Sequence, residues 1–299
     1  MRARIAVPAT VANLGPGFDV LALALELQNE VEVEQTGERG TSVDPGPGAP
    51  PELQDPGHNL VVRAYLHACA AIGVPGSGVS FRCVNRIPLR RGLGSSAAAA
   101  LGGVLAAVSL HRPPWDESAI LERVVELEGH PDNAAAALLG GLVIAAPGAP
   151  PVTMRVPEEL LAVVFIPELE LATAEARGVV AESFSRADAI FNAARCALLI
   201  RAIAERDYGS LRDAMQDRWH QRQRTELLPA LPDLISAALD GGASGAALAG
   251  AGPSVMALTY RDPERVQEAM ASAARRHQLR GRSIVSRVRN WGARVDVGM

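Results

Sequence analysis

The residues best suited to chemistry fall in one run: Pro88, Leu89, Arg90, Arg91, Gly92, Leu93, Gly94, Ser95, Ser96, Ala97 and Ala98. Gly92 and Gly94 let the backbone turn tightly and approach a ligand closely. Ser95 and Ser96 are favoured helix N-caps. The alanine, leucine and valine residues that follow predict a helix to about residue 110. A glycine loop feeding a helix N-terminus offers free amides and the positive end of the helix dipole, a setting for a phosphate. The same arrangement also serves as a plain strand-to-helix connection. Two glycines, two serines and a long apolar helix together favour the phosphate.

Four other places carry chemistry-bearing side chains. Glu128, His130 and Asp132 fall within the six residues Glu128-Gly129-His130-Pro131-Asp132-Asn133. A helix C-cap at Gly129 and a new helix with Pro131 near its first position explain the run structurally; the same break lets Glu128, His130, Asp132 and Asn133 face a common cleft. Asn13 and Asp19 bracket a stiff Gly15-Pro16-Gly17 turn, which is either a wide hairpin connection or a functional loop. Thr173 and Arg177 lie four apart on one predicted helical face. The segment from Trp219 to Arg224 reads mainly as solvated charge, with one arginine directed into a cleft as the sharper alternative.

Composition narrows the class. All 29 basic side chains are arginine, which excludes a Walker lysine and Schiff-base lysine chemistry. A net charge of −4 with no basic run argues against a nucleic acid or an anionic membrane as partner. Three scattered cysteines suit a reducing compartment and no cysteine-based metal site. The first residues lack the apolar core of a signal peptide, and no apolar run reaches membrane-spanning length. The expectation is a cytoplasmic protein.

These groups need elements to position them. Strands are expected at 3–7 (ending at Pro8), 20–27, 31–35, 79–84 and 141–146. Helices are expected at 60–72, 117–127 and 134–139, and a surface loop at 37–57. Three prolines and a glycine in 147–151 suggest a boundary. Beyond it come strands at 152–156 and 161–166, then a helical stretch at 168–180 and helices at 185–204, 208–218 and 229–239. A second glycine-rich stretch, 241–254, precedes a strand at 255–259, a helix at 264–277 and a strand at 283–288. With 299 residues the chain accommodates two domains, expected at 1–150 and 151–299. The second is expected to carry its helices on one side of an antiparallel sheet.

Taken together, these stretches resemble the GHMP kinase superfamily, the small-molecule kinases of galactose, homoserine, mevalonate and phosphomevalonate. Residues 88–98 resemble its ATP-phosphate motif, and Gly250-Ala251-Gly252-Pro253-Ser254 its C-terminal glycine motif. Pro8-Ala9-Thr10, with Ala12-Asn13-Leu14-Gly15-Pro16-Gly17-Phe18-Asp19, resembles the homoserine kinases within it, as does Glu128-Gly129-His130-Pro131-Asp132-Asn133. The motifs keep the family's order across residues 5–259. Val11 stands where serine or threonine is common, and Arg90 where a small residue is common.

The resemblance implies an α+β, two-domain GHMP kinase fold. Its N-terminal ATP-binding domain is ribosomal protein S5 domain 2-like, and its C-terminal domain is ferredoxin-like. It implies ATP and L-homoserine as small-molecule substrates, magnesium as cofactor, and a homodimer. Residues 88–98 would hold the ATP phosphates, with Asn59 near the adenine. Ser96 and Glu128 would hold Mg²⁺. Asn13 would contact the attacking hydroxyl, with Thr173 near it. Asp19 and Asn133 would contact the substrate amino group, while His130, Arg177 and Arg224 would shape the carboxylate end. Either Asp132, the nearest carboxylate, or Asn133 stands at the position that serves as base in mevalonate kinases. The alternative is that no base is used and the hydroxyl proton passes to the phosphate.

An amino-acid zwitterion needs an arginine fork for its carboxylate and a carboxylate for its ammonium. Arg177, Arg224 and Asp19 supply both. A GHMP kinase of sugars or mevalonate-like acids, and a non-catalytic binding protein on the same scaffold, are the competing readings.

Overall fold

The structure, a computed structural model, describes residues 1–37 and 39–298. The chain opens with two long antiparallel strands, β1 (Arg2–Asn13) and β2 (Gly17–Gln35). β1 does not stop at Pro8. Its register shifts between Pro8 and Thr10, and such an irregularity tolerates a residue without an amide hydrogen. Nor does β2 break at its polar middle. There Asn29 Oδ1 accepts from the amides of Arg86 and Ile87, both at 2.8 Å, and Glu30 pairs with Arg4 and Arg86. Those partners let polar side chains stay buried without loss of pairing.

The 37–57 stretch contains a short strand, β3 (Thr41–Asp44), and a 3₁₀ turn, Pro51–Gln54. Helix α1 (Leu60–Ile72) then crosses over to β4 (Val79–Val84), which runs parallel to β3. Helices α2 (Ser95–His111), α3 (Glu117–Glu128) and α4 (Asp132–Leu139) follow, then β5 (Leu142–Ile144) and β6 (Val152–Met154). α2 is buried on nearly every side, which is why its sequence shows no polar face. Its glycines let neighbours approach: a Cβ on Gly103 would lie 2.1 Å from the Val61 carbonyl oxygen of α1.

The remaining elements are β7 (Leu161–Pro167), α5 (Thr173–Gly178), α6 (Arg186–Ala204), α7 (Leu211–Ala214), α8 (Gln221–Arg224) and α9 (Leu231–Asp240). After them come β8 (Gly245–Leu248), β9 (Val255–Thr259), α10 (Pro263–Arg276), β10 (Gly281–Arg287) and β11 (Arg294–Gly298). The expected helix at 208–218 is broken, because the Asp217 carboxylate takes the amides of Trp219, His220 and Gln221 and turns the chain. The helical stretch at 168–180 shrinks to α5, since Glu168 and Leu171 donate their amides to Arg280 and Arg90 in extended conformation. Within the second glycine-rich stretch lies the strand β8.

Two sheets form. The first pairs β11-β1-β2-β4-β3, with β5 and β6 added along the N-terminal half of β2. β6 and β11 therefore complete the first sheet although both lie beyond residue 150, so the sheets do not divide at the proline-rich segment. The second is antiparallel throughout, in the order β10-β7-β9-β8. Its helices are not confined to one side. Val163, Phe165, Val255 and Ala257 pack with α9 and α10, while Ala162, Val164, Met256 and Leu258 join the large core shared with the first sheet, α6 and α7. Alternate side chains of one strand thus serve two cores. Among the described residues no helix is long and apolar enough to cross a membrane.

Candidate active site

The 88–98 loop connects β4 to α2 and meets the second glycine stretch directly. Gly92 and Gly94 have φ of 73° and 68°, in the left-handed region that favours glycine. A Cβ on Gly92 would lie 2.2 Å from the Ala249 carbonyl oxygen, and one on Gly94 would lie 2.0 Å from Thr10 Oγ1. Gly94 is itself the N-cap of α2; Ser95 and Ser96 are its first helical residues and cap nothing. Both hydroxyls are thereby left for other work. Arg91 is a clamp: its guanidinium donates to the carbonyls of Leu89, Pro167 and Glu168. It ties the loop to the segment leading into α5. Arg90 is exposed, 3.8 Å from Glu170.

A cleft of about 530 Å³ runs beside this loop. Most of the residues singled out in the sequence line it, from Asn13 and Asp19 through residues 89–96, Glu128, His130, Asp132 and Asn133 to Thr173, Arg177 and Arg224. Pro88, Ala97 and Ala98 do not; Ala97 and Ala98 are buried in the helix core, where small side chains permit close packing. Asn59 lines the cleft, but its amide is engaged. Its Oδ1 accepts from Val61 N at 3.0 Å, capping α1, and its Nδ2 donates to the Leu53 carbonyl at 2.9 Å.

At the loop end, Ser96 Oγ donates to Glu128 Oε2 at 2.8 Å. Burial pushes the Glu128 carboxyl up from its ordinary value, partly offset by that hydrogen bond. Two hard oxygens side by side at a helix N-terminus suit a magnesium ion that keeps phosphate and water as its other ligands. Among the described residues no cluster of three or more His, Cys, Asp or Glu could hold a metal alone.

Next to it, Asp132 is 1% exposed. Its Oδ1 accepts from His130 Nδ1 at 2.9 Å and from Asn133 N at 2.7 Å. The hydrogen bond to Asp132 raises the His130 imidazole above its usual range. Asn133 Oδ1 in turn accepts from Thr10 Oγ1 at 2.7 Å. Thr10 fixes Asn133 and abuts Gly94, so it sets the distance between the glycine loop and the 128–133 run. Only its place in the Pro-Ala-Thr motif marked it in the sequence.

At the far end, the β1–β2 turn presents Asn13 and Asp19, both with positive φ. Asn13 Oδ1 accepts from Asp19 N, and its Nδ2 donates to the Gly250 carbonyl at 2.9 Å. Arg177 places both terminal nitrogens on Asp19. Arg224 is 2% exposed, so it is not one of the solvated charges of its segment. It donates to the carbonyls of Ala176 and Gly250 and to His220 Nδ1. No carboxylate among the described residues lies within ion-pair distance of it. Burial, helped by Arg177, lowers its guanidinium to about 10, which still leaves it charged at neutral pH. The Phe18 ring lies beneath both cations, 5.6 Å from Arg177 and 5.5 Å from Arg224. Thr173 is exposed at the first turn of α5, on the cleft wall.

A phosphate-type glycine loop, a hydroxyl–carboxylate pair beside it and a two-sheet α+β scaffold define a small-molecule kinase, and the chain belongs to the GHMP kinases. The family models for the GHMP kinase N-terminal domain and GHMP kinase C-terminal match residues 59–141 and 199–276, more than half the chain. Within that class the chain belongs to the homoserine kinase family. It is 39% identical over 298 residues to the homoserine kinase of Desulfitobacterium hafniense, covering 98% of this chain and 99% of that one. It is 34% identical to that of Aquifex aeolicus, covering 98% and 99%. The crystal structure of homoserine kinase from Cytophaga hutchinsonii superposes with a TM-score of 0.88 at 28% identity, covering 99% of this chain and 97% of that one. Mevalonate kinase from Methanococcus jannaschii shares the fold, with a TM-score of 0.68 at 17% identity and 95% and 98% coverage.

Proposed function

We propose that the chain transfers the γ-phosphoryl group of ATP to the hydroxyl of L-homoserine, giving O-phospho-L-homoserine for threonine biosynthesis. The observation that carries this reading is the charge layout at the far end of the cleft. Asp19, Arg177 and the unpaired, buried Arg224 form one anionic and two cationic receptors within a single pocket. A zwitterionic amino acid fits that set, its ammonium on Asp19 and its carboxylate on the two guanidiniums. A sugar would leave the buried Arg224 without an anion, and a mevalonate-like acid would offer Asp19 no cation besides Arg177.

The backbone from Gly92 to Ser96 receives the phosphates. Ser96 and Glu128 hold magnesium, which when bound neutralises charge on the phosphate oxygens. Asn13, locked by Gly250 and the amide of Asp19, keeps its remaining N–H to orient the homoserine hydroxyl, with Thr173 near that hydroxyl. Asn133 and His130 border the amino-acid end and are held there by Asp132 and Thr10. Asp132 is already an acceptor from two groups and nearly covered, so we assign it this holding role and give the hydroxyl proton to the transferred phosphoryl group. Positioning and charge complementarity then carry most of the rate. The first domain supplies the nucleotide side, and α5 and α8 of the second close the acceptor side. We also read the enzyme as cytoplasmic and homodimeric; sedimentation in solution checks the second.

The test is product formation with ATP, Mg²⁺ and each of homoserine, mevalonate and galactose. Turnover of homoserine alone is expected. Turnover of mevalonate without homoserine, or ATP binding with no transfer to any alcohol, overturns the assignment. If Asp132→Asn abolishes transfer while both substrates still bind, the hydroxyl proton goes to Asp132 and not to the phosphoryl group.

A further inference from the structure

We infer that His220 is a positioning residue for the acceptor carboxylate: an uncharged imidazole that fixes Arg224 in the cleft without neutralising it. This rests on the reading of Arg224 as carboxylate receptor.

The His220 side chain is completely buried and its ring makes two hydrogen bonds. Its Nε2 lies 2.8 Å from the Gly15 carbonyl oxygen. A carbonyl only accepts, so Nε2 carries the proton. Nδ1 is then an acceptor, and Arg224 Nη1 donates to it at 3.0 Å. The ring thus bridges Arg224 to the β1–β2 turn, the same turn that presents Asn13 and Asp19. Its face lies against Phe18, with ring centroids 5.3 Å apart. Arg224 is held from three directions: by Ala176 of α5, by Gly250 of the second glycine stretch, and by His220.

Every one of these acceptors is neutral. A carboxylate at position 220 would hold Arg224 as well, but would cancel the charge a substrate carboxylate must meet. Two carboxylates are near: Asp19 is taken by the Arg177 fork, and Asp217 is turned to other partners. Asp217 accepts from Asn192 and from three backbone amides of its own turn, and its closest oxygen is 3.8 Å from His220 Nε2, on the side away from Arg224's bond. Burial also holds the His220 imidazole well below its usual range, consistent with a neutral ring.

Two near-isosteric variants separate the ring's two bonds. His220→Asn keeps an acceptor where Nδ1 stands and loses the Gly15 bond. His220→Gln keeps a donor where Nε2 stands and loses the acceptor for Arg224. Expected for His220→Gln is a rise of about tenfold in the KM for homoserine, the size of one lost hydrogen bond to a charged group, with kcat and the KM for ATP within about twofold. His220→Asn is expected to stay within about threefold on all parameters. Equal effects of the two variants, failure of both to fold included, or an effect on ATP instead of homoserine, overturns the positioning role. Arg224→Met, run alongside, separates this from the underlying reading. If it leaves the homoserine KM unchanged, Arg224 is not the receptor and both fall. If it raises that KM while the two His220 variants match each other, only the role of His220 falls.

Discussion

Arg177 closes its fork on Asp19, with nitrogen–oxygen distances of 2.9 and 2.7 Å, across a gap of 158 residues in the chain. The pair joins the β1–β2 turn to α5 and puts the proposed anionic and cationic receptors within one ligand's length. Losing a hydrogen bond to the charged substrate ammonium costs about 2 kcal/mol, so Asp19→Asn is expected to raise the homoserine KM about thirtyfold. The KM for ATP should hold within about twofold. Steady-state kinetics with each substrate varied separately checks this; an equal rise in both would place Asp19 outside the acceptor site.

Glu128 and Ser96 share a hydrogen bond at the loop end of the cleft. Glu128→Gln keeps the size and the hydrogen bond but removes the charge. If the carboxylate helps to hold magnesium, about 3 kcal/mol of charge stabilisation is at stake, or about a hundredfold in kcat. The magnesium concentration for half-maximal rate should rise as well. A variant with normal metal dependence would show that Glu128 serves structure alone.

Gly103 sits in the middle of α2, where alanine ordinarily stabilises a helix by about 1 kcal/mol. Here the sign reverses, because the new methyl would meet the Val61 carbonyl oxygen at 2.1 Å, and backbone cannot rotate aside as a side chain can. Gly103→Ala is expected to cost about 1–3 kcal/mol, read as a lower denaturation midpoint in urea. A rise in the midpoint would mean that α1 and α2 have room to separate.

Burial lowers the His220 imidazole, with Asp217 opposing and Arg224 assisting, and Asp217 in the same turn is also held below its ordinary value. A group whose folded pKa is depressed stabilises the fold above its unfolded pKa and withdraws that stability as pH falls towards the folded value. Both groups act in the same direction. The protein should therefore lose stability from about pH 6.5 downward, by up to about 1.4 kcal/mol per pH unit for one proton. Thermal unfolding between pH 7.5 and 4.5 measures it, and His220→Asn should flatten the upper part of that slope. An unchanged slope would assign the acid sensitivity elsewhere.

The local chemistry was legible in order along the chain. Residues 92–96 announce a phosphate loop because glycine and serine at a helix start act through their own backbone. Gly129 announces a helix end for the same reason, α1, β4 and α3 follow from apolar spacing, and α2 follows from its run of helix-forming residues. What residue types alone could not assign were partners remote in the chain. Asn59 has the right place on the cleft wall, yet its amide is consumed as the cap of α1. Arg91 belongs to the phosphate motif, yet its side chain binds backbone at the end of β7. His220 and Arg224 stand four apart in a run that looks solvated, and the β1–β2 turn, α5 and the second glycine stretch come together to bury them. Likewise β6 and β11 lie in the second half of the sequence but complete the first sheet, since pairing depends on which edge is open in space. The sequence by itself determined the kind of reaction, through groups whose work is done by their immediate neighbours. Tertiary structure alone decided which charges stay paired, which are buried unpaired and which side chains are free for a ligand, because burial and hydrogen bonding there come from segments remote in the chain, such as Asn13 and Gly250, 237 residues apart.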